Sequence, residues 1–255
     1  IDVISKVKSV EGRLEKIGEI KNNSKVILDY AHSPDALKLA LTNLREQFPF
    51  NNINLVFGCG GNRDKNKRSM MGKIAEKYSD KIYNSAPVFS PSGKLLGVYR
   101  KRYPWFPYEK TSPGQTPFTF KIKGLGTIGL MICYDMWFPE VARDLTNLGA
   151  EVIIVPTMTT TGDRLHEQII SQSTAITHQC YLISCNGVGI GGVGGSQIID
   201  PEGMILQRNG EGAVIQTAII DFDHVKKIRE KGIAGITNPH KAFKKNKQYF
   251  KVYNK

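Results

Sequence analysis

"GLGTIGLMICYDMWFPE", residues 124–140, is the stretch on which the reading of this chain turns. Thr127 to Cys133 is a continuous apolar run, the pattern of a strand covered on both faces. Pro139 then opens a helix, "PEVARDLTNLG" (139–149), because proline suits the first helical position and glycine stops a last turn. Cys133 therefore falls where a strand gives way to a turn. The strand holds its Cβ, and the turn offers backbone N–H groups without partners, which is what a thiolate nucleophile and an oxyanion need. The competing reading, a small buried hydrophobe, fits Cys59, Cys180 and Cys185 better.

Working outward, "AEVIIVPT" (150–157) is a second buried strand and "DRLHEQIISQSTAITHQ" (163–179) a helix with Asp163 as its expected N-cap. "CYLISCNGV" (180–188), "GGSQIIDPEGMIL" (194–206) and "AVIQTAIIDF" (213–222) read as three more strands. Upstream, "YNSAPVFSPSGKLLGVYRK" (83–101) is a hairpin turning at Ser90–Gly93. The segment before it reads β-α-β-α-β: "SKVILDYA" (24–31), a helix from Ser33 and Pro34, "NINLVFGCG" (52–60), "KRSMMGKIAEKYS" (67–79), then a strand from Asp80. That alternation predicts parallel pairing. The glycines of "GVGIGGVGGS" (187–196) precede a strand, not a helix, so they do not form a dinucleotide fingerprint.

The chain has 255 residues, 40% hydrophobic and 23% charged, within the range of a globular α/β protein. No apolar run reaches the length of a membrane helix, and the N-terminal residues lack a signal-peptide core. The four cysteines show neither metal-ligand spacing nor a disulfide framework, so a reducing cytoplasm is the expected compartment. The formal charge of +12 is concentrated at residues 225–255, where ten Lys/Arg meet one acid, Glu230. That pattern reads as a solvated basic tail. With no recognisable nucleic-acid module, neither nucleic acid nor membrane is an expected partner.

Residues 83 to about 240 resemble the nitrilase (carbon–nitrogen hydrolase) superfamily. The resemblance rests on "GLMICYDMWFPEVARDLTNLGAEVIIVPT", on "YNSAPVFSPSGKLLGVYRKRYPWFPYEKTSPG" and on "GGSQIIDPEG", in that family's order. It implies an αββα sandwich and a Cys–Lys–Glu site that hydrolyses carbon–nitrogen bonds through a thioester, without metal or cofactor. By motif, Cys133 is the nucleophile. Lys101 and the Tyr134 N–H receive the oxyanion, and Glu109 holds the lysine. Trp137 walls a small pocket. "YRKRYPWFPYE" resembles most the aliphatic amidase and formamidase-like members, implying small linear amides as substrates and, by analogy, a homodimer or higher homo-oligomer.

The glutamate of that triad is the general base, an early residue at the end of an apolar strand; Glu109 matches a further glutamate that bonds the lysine and helps position substrate. The corresponding strand here ends at Gly58, Cys59 and Gly60, with Cys59 nearest the lost position. Residues 11–82 resemble instead the C-terminal domain of a Mur ligase, through "GRLEKI", "VILDYAHSPDAL" and "LVFGCGGNRDKNKRSMMGKIAEKYSDK". That resemblance implies that Asp29 and His32 face a nucleotide site and that Arg63 meets an amino-acid carboxylate. As local structure, Asp29 and His32 would simply cap the helix that follows. The ligase's phosphate loop is absent. The expected molecule is a chimera: a Rossmann-like ligase segment, 1–82, followed by a hydrolase domain, 83–255, lacking its N-terminal third. Its expected activity is amide hydrolysis impaired by the lost base. The alternatives are a non-catalytic binding protein and a remnant of peptidoglycan-precursor ligation.

Overall fold

The computed structural model describes residues 11–20, 24–53, 55, 57–58, 67–78, 81–189 and 192–245. The chain divides into two compact units, Ile1–Ile82 and Tyr83–Lys255. The first begins with an antiparallel hairpin of β1 (Glu15–Ile20) and β2 (Ser24–Leu28), Glu15 lying opposite Leu28. The sequence pattern located β2 but gave it a parallel partner further along the chain. A strand next door closes a short loop, whereas parallel pairing needs a long crossover. The described residues of 52–60, namely Asn52, Ile53, Leu55, Phe57 and Gly58, form no strand. Ile53 and Leu55 pack instead against a small core of Leu37, Leu41 and Met71. That core joins α1 (Pro34–Gln47) to α2 (Lys67–Tyr78). Ser33 caps α1 as expected, its Oγ accepting the Ala36 N–H at 3.3 Å, with Pro34 at the first helical position.

The second unit opens on the hairpin of β3 (Ser85–Phe89) and β4 (Leu95–Arg100). Its turn is closed by Gly93 N–H to Ser90 C=O at 2.9 Å, with Gly93 at φ +78°. A six-stranded sheet follows. It is built from β5 (Thr119–Ile122), β6 (Gly126–Leu130), β7 (Val152–Thr157), β8 (Tyr181–Asn186), β9 (Gln197–Ile199) and β10 (Ile205–Arg208), in the order β10-β9-β8-β7-β6-β5. β6, β7 and β8 run parallel, linked by α3 (Pro139–Asn147) and α4 (Arg164–His178), and the outer pairings are antiparallel.

The period of two along β7 divides the core. Ile153 and Val155 face one way, into a cluster with Val141, Leu145 and Ala175 of the crossover helices. Val152 faces the other way, with Val225 of α5 (Phe222–Lys231), and Ile154 lies beside it against Tyr99 of β4. The layers are thus α3 with α4, the six-stranded sheet, and the β3–β4 hairpin with α5. This is a mixed α/β fold in which the β3–β4 sheet has two strands among the described residues.

Three local expectations are corrected. Residues 213–221 form no strand although their apolar residues recur, and Ile215 and Ile219 are exposed. Asp163 stands at the start of α4 but its side chain caps nothing. The basic tail is not wholly solvated, because Pro239–Lys245 folds as α6 with His240 buried. Among the described residues no helix is long and apolar enough to cross a membrane.

Candidate active site

Lys101 follows the last residue of β4 and is only 2% exposed. Its backbone is held on both sides: its N–H donates to the Asn84 carbonyl at 2.8 Å, and its carbonyl accepts the Gly114 N–H at 2.7 Å. A Cβ on Gly114 would lie 2.2 Å from the Arg100 carbonyl oxygen, so only glycine permits this approach. A buried ammonium needs a partner, and Lys101 Nζ has one in Glu109 Oε2 at 2.5 Å.

Glu109 is saturated. Oε2 also accepts the Trp105 N–H at 3.0 Å, while Oε1 accepts Asn84 Nδ2 at 2.7 Å and Thr111 Oγ1 at 3.3 Å. Burial alone would raise its pKa. The donors from Lys101, Trp105 and Asn84, with the lysine's charge, outweigh burial and hold it below its ordinary value. Glu109 is therefore an ionised anchor for the lysine, with no lone pair left over for proton transfer.

Cys133 sits just beyond β6, at the first position of a 3-10 turn, Cys133–Trp137. Its φ is +48°, the left-handed region. A non-glycine residue held there costs on the order of 1–2 kcal/mol, and such strain gathers at functional sites. The turn's first N–H groups, Tyr134's among them, have no intrahelical acceptor by position. Cys133 is half-buried and packs against Tyr99, Leu130 and Ile132.

Asp135 ties the cysteine turn to the lysine strand. It is fully buried. Oδ2 accepts the Tyr99 hydroxyl at 2.7 Å and the Ile132 N–H at 2.9 Å, and Oδ1 accepts the N–H groups of Arg102 at 3.0 Å and Tyr103 at 2.8 Å. Burial is the largest influence on its carboxyl and shifts its pKa upward, opposed by these donors and by the charge of Lys101. Sequence reasoning missed both Asp135 and Asn84. The partners of their side chains lie 25 to 36 residues away, save for Ile132.

The other thiols are less suited to nucleophilic work. Cys180 is buried and pushed up to about 12. Cys185 is exposed as a residue, yet partial desolvation shifts its thiol upward, with Arg164 opposing. Cys59 and Arg63 lie outside the described residues. Trp137 is 36% exposed, near Tyr134 and His166, so it lies at the surface and not in the core.

Asp29 and His32 are occupied locally. Asp29 accepts the Leu14 and Ala31 N–H groups at 2.9 and 2.8 Å, and His32 Nδ1 lies 3.0 Å from the Tyr30 carbonyl. Neither caps the following helix, a task taken by Ser33.

At the C-terminal ends of β7 and β8 a buried network holds the neighbouring loops. Arg164 bonds Glu167, Ser184 and the carbonyls of Gly194 and Gly195, while Asn186 bonds Thr159 and Gly194. Elsewhere Asp200, Glu202 and His224 bring candidate cation ligands within 4.8 Å of one another. Asp200 Oδ1 is already spent on the Glu202 and Met204 N–H groups.

The carbon-nitrogen hydrolase family model matches residues 38–230. The chain belongs to the carbon-nitrogen hydrolase family. The chain is 31% identical over 167 residues to "Hydrolase in agr operon" of Staphylococcus lugdunensis, a match covering 62% of this chain and 71% of that protein. Its fold is that of the carbon-nitrogen hydrolase from Helicobacter pylori G27, at TM-score 0.58 and 23% identity, covering 88% of this chain and 94% of the other. The N-terminal segment has a second likeness. It is 48% identical over 83 residues to the UDP-N-acetylmuramoyl-L-alanyl-D-glutamate–2,6-diaminopimelate ligase of Rickettsia felis. That match covers 32% of this chain and spans only 15% of the ligase's length. The chain is thus chimera-like, as its two sequence textures imply.

Proposed function

We propose that the chain is a thiol amidohydrolase for small linear amides, working through a thioester on Cys133 and slowed by the loss of its general base. One observation carries this reading: Asp135 bonds the Cys133 turn to the residues flanking a buried, Glu109-paired Lys101. The cysteine sulfur attacks the amide carbon, and the oxygen's developing charge is received by Lys101 Nζ and the Tyr134 N–H. Collapse, with the leaving nitrogen taking up the proton that the thiol gave up, expels ammonia and leaves an acyl group on sulfur. Water must then attack the thioester, and this step needs a base. Glu109 and Asp135 are both committed to hydrogen bonds, so neither serves. General-base help is worth about 10²–10⁴ in rate, which sets the scale of the deficit. The local bonding of Asp29 and His32 gives the ligase reading no support.

A homo-oligomer is part of the same proposal. Leu165, Ile169 and Ile176 recur on α4 and are exposed, which supports burial against a second copy; a monomeric mass by light scattering would remove it. Cytoplasmic residence fits the free thiols of Cys133, Cys180 and Cys185, and oxidation of these thiols in the isolated native protein would count against it.

Ammonia release from formamide or acetamide tests the activity. A slow release that disappears in both Cys133→Ala and Lys101→Met is expected. Release that survives Cys133→Ala would refute the proposal.

A further inference from the structure

We propose that Asp135 is a positioning residue that acts through Lys101, fixing where the ammonium stands relative to the Cys133 sulfur. The inference rests on the reading of Cys133 as nucleophile and goes beyond the Cys–Lys–Glu set. Asp135 lies two residues after the cysteine, within the same 3-10 turn. Its four donors fall into two groups. One, the Ile132 N–H, belongs to the cysteine's own segment, immediately before it. The other three, the Tyr99 hydroxyl and the Arg102 and Tyr103 N–H groups, belong to the segment carrying Lys101 and bracket it on both sides. Lys101 itself gives Asp135 no hydrogen bond, as its ammonium bonds Glu109. One buried carboxylate therefore fixes the register between nucleophile and cation while leaving the cation free to serve the reaction.

Charge and position make opposite demands, and this makes the inference testable. Removing a nearby negative charge favours a thiolate, so on charge alone Asp135→Asn should speed Cys133 alkylation. Losing the lysine's placement withdraws the cation that favours the thiolate, and should slow it. Asparagine nearly preserves shape but offers an N–H₂ where Oδ2 or Oδ1 now receives donors, so the clamp cannot be rebuilt.

The experiment is a double-mutant cycle on the full chain. The rate of Cys133 alkylation by iodoacetamide is followed by peptide mass mapping across pH, in wild type, Asp135→Asn, Lys101→Met and the double variant. Cys180, buried in the core, reports unfolding, and Cys185 reports general thiol reactivity. Asp135→Asn should slow Cys133 about tenfold at neutral pH. The same change in the Lys101→Met background should have less than about a twofold effect, since coupling is confined to residues sharing one network. An equal slowing in both backgrounds, or an acceleration, would overturn the proposal. If Asp135→Asn exposes Cys180, the comparison passes to Tyr99→Phe, which removes one donor. It should slow Cys133 only when Lys101 is present, and slowing without Lys101 would be equally fatal. Failure of wild-type Cys133 to outrun Cys185 would instead overturn the nucleophile reading itself, so the two outcomes stay distinct.

Discussion

Cys133 holds a backbone conformation that its side chain disfavours. At φ +48° the Cβ is crowded, a conformation that persists only because the surrounding structure holds it. Two truncations separate strain from chemistry. Cys133→Ala keeps the Cβ and its crowding, whereas Cys133→Gly removes both. The glycine variant should be the more stable of the two by about 1 kcal/mol, measured by chemical denaturation, with neither hydrolysing amides. A glycine variant less stable than the alanine variant would show that packing against Tyr99 and Ile132 outweighs backbone strain at this position. The candidate residues Cys133, Lys101 and Glu109 could be singled out at this scale because they lie in short motifs. Asp135 was visible two places from the cysteine but gave no sign of its task. Its meaning comes from Tyr99, Arg102 and Tyr103, and only folding brings those donors to it.

Elements were legible where one residue fixed an end or where both faces of a strand were apolar. Ser33, Pro34, Pro139 and Gly149 marked helix limits correctly, and β6, β7 and β8 were continuous apolar runs. Residues 213–221 misled because recurring apolar residues make a strand only where they pair in a ladder, and this stretch forms none although β10 stands at the sheet's edge. The basic C-terminal stretch misled in the opposite sense, since its charges concealed the buried His240. That histidine and His178, the last residue of α4, carry a pH consequence. Desolvation, then nearby cations, push both from an ordinary 6.5 down to about 4. Around His178 stand Arg143 and Arg229; around His240 stand Arg229, Lys244, His178 and Arg143. The unfolded chain therefore binds more protons between these values, and stability must fall as pH drops from 6.5 toward 4. His178→Gln should flatten this slope in denaturation midpoints taken across that window. An unchanged slope would assign the acid sensitivity to other groups.

At the scale of the whole molecule, a family fold is present in a chain whose N-terminal segment also resembles a second family. The family match reaching back to residue 38 and the ligase likeness over 83 residues overlap in sequence, so composition alone could not assign that stretch to one parent. Order in the hydrolase unit survives because its six-stranded sheet draws every strand from residues 119–208. Chemistry is the part expected to suffer. A nucleophile with its cation but no base should take up an acyl group and keep it. The direct measurement is pre-steady-state release of nitrophenolate from p-nitrophenyl acetate, whose leaving group needs no proton. A near-stoichiometric burst followed by slow turnover is expected, with the acetyl group mapped to Cys133 and the burst absent in Cys133→Ala. Folded protein that gives no burst, or a burst untouched by Cys133→Ala, would contradict the assignment of Cys133 as the nucleophile of a base-deficient amidohydrolase.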